Sequence, residues 1–65
     1  MQVSVNGQIE EIEAQSLESY LNSKLLLARR IAVELNGEIV PKSQFSTLML
    51  VDGDVLEIVH AIGGG

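Results

Sequence analysis

Cysteine is absent from this 65-residue chain. Its absence excludes a disulfide framework, a thiolate metal site and a cysteine nucleophile. Basic residues are also scarce, because four of them stand against nine acidic residues and leave a net charge of −5. Nucleic acids and anionic membranes are bound by basic surfaces, so we expect neither partner. The longest apolar run, residues 25–28, is far too short to cross a bilayer.

The length fits one domain. The first residues alternate like a strand and lack the basic and hydrophobic regions of a signal peptide, so we expect a cytoplasmic protein. With 46% hydrophobic residues and no disulfides, the core favours a helix packed on a sheet. The acidic charge has two interpretations: a docking surface for a basic partner, or a means of keeping a small protein soluble.

Two Asn-Gly dipeptides mark hairpin turns. Asn6-Gly7 and Asn36-Gly37 suit type I′ turns, in which both central residues need positive φ. Alternating apolar and polar residues predict the flanking strands. Because Ile9 differs in parity from Ile12, the second strand should end early or contain a bulge. The predicted strands cover residues 1–5, 8–13, 31–35, 38–40 and 55–60.

One main helix is predicted between the hairpins. Ser16 suits the N-cap, and Glu18 lies favourably in the first turn. Arg29 and Arg30 could either face the negative end of the helix or lie in the following loop. One apolar stripe is formed by Leu17, Tyr20, Leu21 and Leu25.

The second half of the chain completes an α+β pattern. Pro41 should end the short fourth strand, because proline cannot donate to a ladder. Residues 43–45 predict a single helical turn that buries Phe45, and residues 52–54 predict a tight turn around glycine. The order is therefore strand, strand, helix, strand, short strand, strand, with the helix across one face of the sheet.

The chain ends in Gly63, Gly64 and Gly65. Glycine loses the most entropy on ordering and has no side chain to bury, so packing does not explain this run. A frayed end is the simple alternative, yet these glycines follow directly after a hydrophobic strand. Residues 61–65 could extend roughly 17 Å, enough to reach a partner's active site through a channel too narrow for a Cβ atom. We therefore predict a functional arm.

The chemistry available on such an arm is that of the α-carboxylate of Gly65, which is ionised at neutral pH. A carboxylate can attack the α-phosphate of ATP and give an acyl-adenylate where a metal and cationic groups stabilise the charge. This chain supplies none of those groups, so the activating machinery should belong to a partner. The protein is then a substrate and a carrier.

Other candidate sites have simpler structural interpretations. His60 is the only histidine and has no recognisable catalytic arrangement around it. Asp52 and Asp54 flank a glycine, as in a metal loop, but the further ligands of an EF-hand are missing in register, so they should form a turn. Neither catalysis by this chain nor a bound metal is predicted. Three serines lack a base that could activate them: Ser16, Ser43 and Ser46.

Three stretches of the sequence resemble one known family. Residues 32–45 read AVELNGEIVPKSQF, residues 52–54 read DGD, and residues 56–59 read LEIV ahead of the glycine end. The pattern resembles the thiamine-biosynthesis sulfur carrier family (ThiS), in which VNGxxVP(R/K)xx and an aromatic residue precede a DGDxxE turn and a diglycine terminus. The resemblance implies a ubiquitin-like β-grasp domain over residues 1–62, with a mixed four- to five-stranded sheet, and a flexible tail over residues 63–65.

The resemblance also implies a carrier that binds no cofactor itself. An E1-like adenylyltransferase would use ATP and magnesium to adenylate the carboxylate of Gly65. Sulfur from a persulfide relay, supplied by a donor such as a cysteine desulfurase, would displace AMP and leave a thiocarboxylate. Thiazole synthase would then take this sulfur to build the thiazole ring of thiamine. Gly63, Gly64 and Gly65 form the tail that enters the partner's active site.

Other functions stay open at this point. The small subunit of molybdopterin synthase also ends in diglycine, but it is typically longer and lacks the Val-Pro and Asp-Gly-Asp pairing. A ubiquitin-like protein modifier would join Gly65 to a lysine of its target. A β-grasp interaction module with an incidental tail is a third alternative. An enzyme in its own right is the least favoured, for want of a nucleophile, a base or a metal site.

Overall fold

A computed structural model describes residues 1–60 of the chain. Within them, five strands, one α-helix and one 3₁₀ turn follow in the order that the sequence predicts. The elements are β1 (Gln2–Val5), β2 (Gln8–Glu11), α1 (Leu17–Ser23), β3 (Ile31–Leu35), β4 (Glu38–Ile39), the 3₁₀ turn (Lys42–Gln44) and β5 (Val55–His60).

The five strands form one mixed sheet in the order β2-β1-β5-β3-β4. Strands β1 and β2 make one antiparallel hairpin, and β3 and β4 make the other. Between them lies β5, which runs parallel to β1 and antiparallel to β3. The last strand of the described chain is therefore the central strand of the sheet. This arrangement confirms the mixed β-grasp sheet of four to five strands that the resemblance implied, and the number of strands is five.

Both predicted type I′ turns are confirmed. Asn6 and Gly7 have φ of 50° and 84°, and Asn36 and Gly37 have φ of 51° and 88°. All four values lie in the left-handed region that this turn requires. The second strand ends early, at Glu11, as one of the two interpretations predicted.

The helix begins as predicted and ends sooner. The hydroxyl of Ser16 accepts a hydrogen bond of 3.0 Å from the backbone N–H of Ser19, which caps the first turn. Three of the four predicted stripe residues are buried: Leu17, Tyr20 and Leu21. Because α1 stops at Ser23, the arginine pair before β3 lies in a loop, which was the second alternative.

The assignment of Leu25 to the apolar stripe is wrong. Leu25 lies beyond the helix with φ of 60°, and its residue surface is 80% exposed. Its backbone N–H donates to the carbonyl of Asn22 at 3.0 Å, and the N–H of Leu26 donates to the carbonyl of Leu21 at 2.9 Å. These two bonds define a Schellman motif, which ends the helix. Leu26 packs against the core in place of Leu25.

The core lies between α1 and one face of the sheet. Phe45 is buried directly after the 3₁₀ turn, as predicted. Residues 46–51, to which the sequence assigned no structure, also contribute. Leu50 is buried, and its N–H donates to the carbonyl of Gln15 at 2.9 Å, beside a bridge between Ser16 and Met49. The buried cluster comprises Leu17, Tyr20, Leu21, Ile31, Val33, Val40, Phe45, Leu50, Leu56 and Ile58.

Candidate functional site

The predicted functional tail, Gly63, Gly64 and Gly65, lies outside the described residues, as does its predicted boundary with the β-grasp domain. The described structure reaches His60, the last residue of β5. The candidate site is therefore built from β5 and from the side chains that hold this strand in place. Strand β5 is the last described segment before the predicted tail.

The two neighbours of β5 support it unequally. Strand β3 pairs along its length, from Ile31 opposite His60 to Leu35 opposite Leu56. Strand β1 pairs only with the first two residues of β5. Its last residue, Val5, is opposite Leu56. Beyond this point β1 turns away into the first hairpin.

Asn6 extends the support that β1 provides. Its backbone N–H donates to the carbonyl of Leu56 at 2.9 Å. Its side-chain Oδ1 accepts from the backbone N–H of Ile58 at 2.7 Å, and its Nδ2 donates to the carbonyl of Ile58 at 3.1 Å. The amide side chain thus binds Ile58 as a further strand residue would. The Asn-Gly dipeptide marks Asn6 as a turn residue, and nothing in the sequence signals this second role.

Asn36 binds the beginning of β5 in a similar way, and we call the side-chain contacts of Asn6 and Asn36 with β5 the asparagine clips. Its side-chain Oδ1 accepts from the N–H of Val55 at 2.9 Å, and its own N–H donates to the carbonyl of Val55 at 2.8 Å. Its Nδ2 donates to the Oδ1 of Asp54 at 3.0 Å. The two hairpin turns therefore hold the central strand through their asparagine side chains.

The Asp52-Gly53-Asp54 segment is a turn, as predicted. The Oδ1 of Asp52 accepts from the N–H of Gln2 at 2.7 Å. Asp54 is only 6% exposed, and its Oδ2 accepts from the N–H of Val51 at 2.9 Å. Both carboxylates thus bind backbone groups next to β5. Within residues 1–60, no group of three or more His, Cys, Asp or Glu side chains is placed to hold a metal ion.

A second polar cluster joins the helix to the edge of the sheet. The hydroxyl of Tyr20 donates to the Oε1 of Glu10 at 2.9 Å, and the Nζ of Lys24 lies 3.2 Å from the same oxygen. Lys24 also lies over the Tyr20 ring, 5.7 Å from its centroid. Burial, with the hydrogen bond and charge of Glu10, raises the pKa of Tyr20 well above its ordinary value. These contacts fasten α1 to β2.

The remaining candidates lie at three different elements of the fold. His60 is exposed at the end of β5, opposite Ile31. Ser16 caps the helix, and Ser43 and Ser46 are exposed in and just after the 3₁₀ turn. In the part of the chain that the structure describes, no pocket is found, and neither helical segment is long and apolar enough to cross a membrane.

The comparison with protein families decides the classification. A model described as the ThiS family matches residues 2–65, which include the whole glycine run. The chain belongs to the ThiS family. The sulfur carrier protein ThiS of Bacillus subtilis (strain 168) is 40% identical over 50 residues, which cover 77% of this chain and 76% of that protein. Membership of the family that the motifs indicated is thus confirmed.

Structural and sequence relatives agree with ThiS membership. The crystal structure of the thiamine biosynthesis protein ThiS from Geobacter metallireducens matches with a TM-score of 0.86 and 32% identity, covering 100% of both chains. The thiazole synthase of Paramagnetospirillum magneticum is 42% identical over 66 residues, covering 100% of this chain and 20% of that protein. The chain spans about a fifth of the length of the thiazole synthases that it matches.

Proposed function

We propose that this chain is a sulfur carrier for the formation of the thiazole ring of thiamine, and that the carboxylate of Gly65 carries the sulfur. The observation that carries this proposal is the ThiS family match, which extends to the terminal glycine. The named Bacillus carrier and the Geobacter thiamine-biosynthesis structure support the same role.

The proposed chemistry uses the main chain of Gly65 and the catalytic groups of partners. An E1-like adenylyltransferase, with ATP and magnesium, directs a carboxylate oxygen onto the α-phosphorus and releases pyrophosphate. A persulfide, formed by a donor such as a cysteine desulfurase, attacks the acyl carbon and expels AMP. A thiol then reduces the sulfur–sulfur bond and leaves the thiocarboxylate. ATP supply favours the cytoplasm as the location of this cycle.

We infer a carrier rather than an enzyme from what the polar side chains of the domain do. Asn6 and Asn36 bind the backbone of β5, and Asp52 and Asp54 hold the turn before it. These groups are engaged in positioning the strand that precedes the tail. The domain would therefore present Gly65, and the partners would perform the catalysis.

Thiazole synthase is the favoured recipient of the sulfur. Proteins of that name contain a stretch that matches 100% of this chain. This similarity favours the thiamine pathway over a molybdopterin carrier and over a protein modifier. It also supports a direct contact between the carrier and thiazole synthase.

A growth experiment tests the pathway. The chain is expressed in a bacterial strain that lacks its own thiamine sulfur carrier, beside a variant without Gly64 and Gly65. We expect the full chain to restore growth without added thiazole, and the shortened variant to require thiazole. Circular dichroism should show that both fold alike. Growth restored by the shortened variant, or failure of the full chain beside a functioning native carrier, would contradict the proposal.

A further inference from the structure

The sheet has an open face on the side away from α1. In β5, the buried residues Leu56 and Ile58 point to the core, so Val55, Glu57 and Val59 point outward. The neighbouring strands contribute further outward residues by their register with β5. We define the acidic–apolar face as Ala32, Glu34, Ile39, Val55, Glu57 and Val59.

Two glutamates face each other in the middle of this face. Glu34 of β3 is directly opposite Glu57 of β5. Like charges at directly opposed positions of an antiparallel pair destabilise a sheet. In the part of the chain that the structure describes, neither carboxylate makes a hydrogen bond or an ion pair, whereas Glu10 and Glu11 both have cationic partners. Among the described residues, no hydrogen bond or ion pair offsets the repulsion between the two carboxylates.

Apolar side chains surround the two carboxylates. Val55 and Val59, two residues before and after Glu57, are 44% and 59% exposed. Ile39 is paired with Glu34 on the other side and is 65% exposed. Ala32 is opposite Val59 and is exposed as well. An acidic pair inside an apolar rim is an arrangement that a partner could cover and neutralise at once.

We propose that the acidic–apolar face docks on thiazole synthase, and that an arginine of that enzyme binds Glu34 and Glu57 together. This inference rests on the proposed function. A guanidinium is planar, weakly hydrated and able to donate to two carboxylates, so it suits a site bordered by apolar side chains better than an ammonium does. The arginine would relieve the repulsion that the free carrier contains.

The chemistry of the face and the position of β5 identify this occupant. A second copy of the chain, docked on this face with the two-fold axis through its centre, would bring the acidic pairs together, which disfavours self-association there. Thiazole synthases contain a stretch matching this whole chain within a protein that is about five times longer, so a related domain and the remainder of that protein occur in one molecule. Because Glu57 lies on the strand that leads to Gly65, docking here would bring the tail to the same enzyme.

Binding measurements with charge-matched variants test the proposal. The affinity of the chain for purified thiazole synthase is measured by calorimetry at low and high salt. We expect E34Q/E57Q to bind about tenfold more weakly, with a smaller salt dependence, because an arginine loses its carboxylate partners. The control E13Q/E38Q removes the same charge from exposed residues outside the face and should bind within about twofold of the unmodified chain.

Further readouts separate docking from folding and from the carrier role. E34Q/E57Q should unfold at the same temperature as the unmodified chain or a higher one, since its change removes repulsion. The proposal would be overturned if E34Q/E57Q lost no more affinity than the control, or if the unmodified chain did not bind thiazole synthase. It would also be overturned if only the contact with the activating enzyme were weakened, or if the chain sedimented as a dimer. Thiocarboxylate formation on Gly65 tests the carrier role separately, because it needs no thiazole synthase.

Discussion

Asn6 and Asn36 each perform two tasks with one residue. Their backbones adopt the positive φ that a type I′ turn requires, and their side-chain amides bind the backbone of β5. The first task is visible in the Asn-Gly dipeptides. The second is not, because the contact joins Asn6 to Ile58, 52 residues away in sequence, and depends on how β1 and β5 pair.

Replacing Asn6 by glycine separates these tasks. N6G keeps a residue that tolerates positive φ but removes both side-chain hydrogen bonds to Ile58. We expect the free energy of unfolding to fall by about 1–3 kcal/mol, the usual cost of unpaired polar groups in a partly buried site. Chemical denaturation checks this value. A midpoint equal to that of the unmodified protein would show that the amide clip contributes nothing.

Tyr20 gives the protein a predictable response to alkaline pH. Burial and Glu10 raise the pKa of Tyr20 in the folded state. Its hydroxyl therefore stays protonated at alkaline pH values at which a tyrosine of the unfolded chain ionises. The resulting stabilisation is complete below the unfolded pKa of about 10 and is lost as the pH rises above it. Thermal unfolding between neutral pH and pH values above 10 should therefore show a loss of stability.

The variant Y20F isolates this contribution. At neutral pH it should lose about 1–2 kcal/mol, since the hydrogen bond to the charged Glu10 is removed while the ring stays in the core. Above pH 10 its stability should decline less steeply than that of the unmodified protein. Identical pH profiles for the two proteins would contradict the role assigned to the Tyr20 hydroxyl.

Helix α1 shows what a periodic pattern predicts and where it stops being informative. The N-cap and the first two turns follow from Ser16 and from the spacing of the apolar residues. The end does not, because Leu25 fits the helical spacing of the stripe and no glycine or proline follows to mark a stop. The Schellman motif places Leu25 in solvent and Leu26 against the core, an outcome that tertiary packing decides.

Substitution of Leu25, just after α1, should stabilise the protein. A non-glycine residue at φ of 60° is strained, and the exposed side chain has little packing to lose. L25G should raise the free energy of unfolding by about 0.5–1 kcal/mol, after the greater entropy of an unfolded glycine is subtracted. L25A is the matched control, because it removes the side chain and keeps the Cβ atom. Equal melting temperatures for L25G and L25A would show that the left-handed backbone carries no strain.

Some features of the whole domain could be predicted from the sequence and others could not. The element order, both hairpins, and the helical residues and Phe45 of the core follow from alternation, helical spacing and turn chemistry. The central position of β5 was not predicted, since alternation alone does not order strands within a sheet. The contribution of residues 46–51 was missed because Leu50 pairs with Gln15, far away in sequence, without forming a strand.

The sequence predicted the chemical group of the candidate site but not the contacts that hold β5 in place. The carboxylate of Gly65 follows from the glycine run and the resemblance, and it stays a prediction because residues 61–65 lie outside the described structure. The asparagine clips and the acidic–apolar face appear only when the strands are brought into register. Both features agree with the proposed presenting role of the domain, in which the central strand precedes the predicted tail.

The mass of the intact chain tests this account most directly. The chain is incubated with an E1-like adenylyltransferase, magnesium-ATP and a persulfide donor, with a thiol present, beside the variant that lacks Gly64 and Gly65. We predict a mass increase equal to the exchange of one oxygen for one sulfur, located on Gly65 by fragmentation and absent from the shortened variant. An unchanged mass under conditions in which a known ThiS carrier is converted would contradict the central claim.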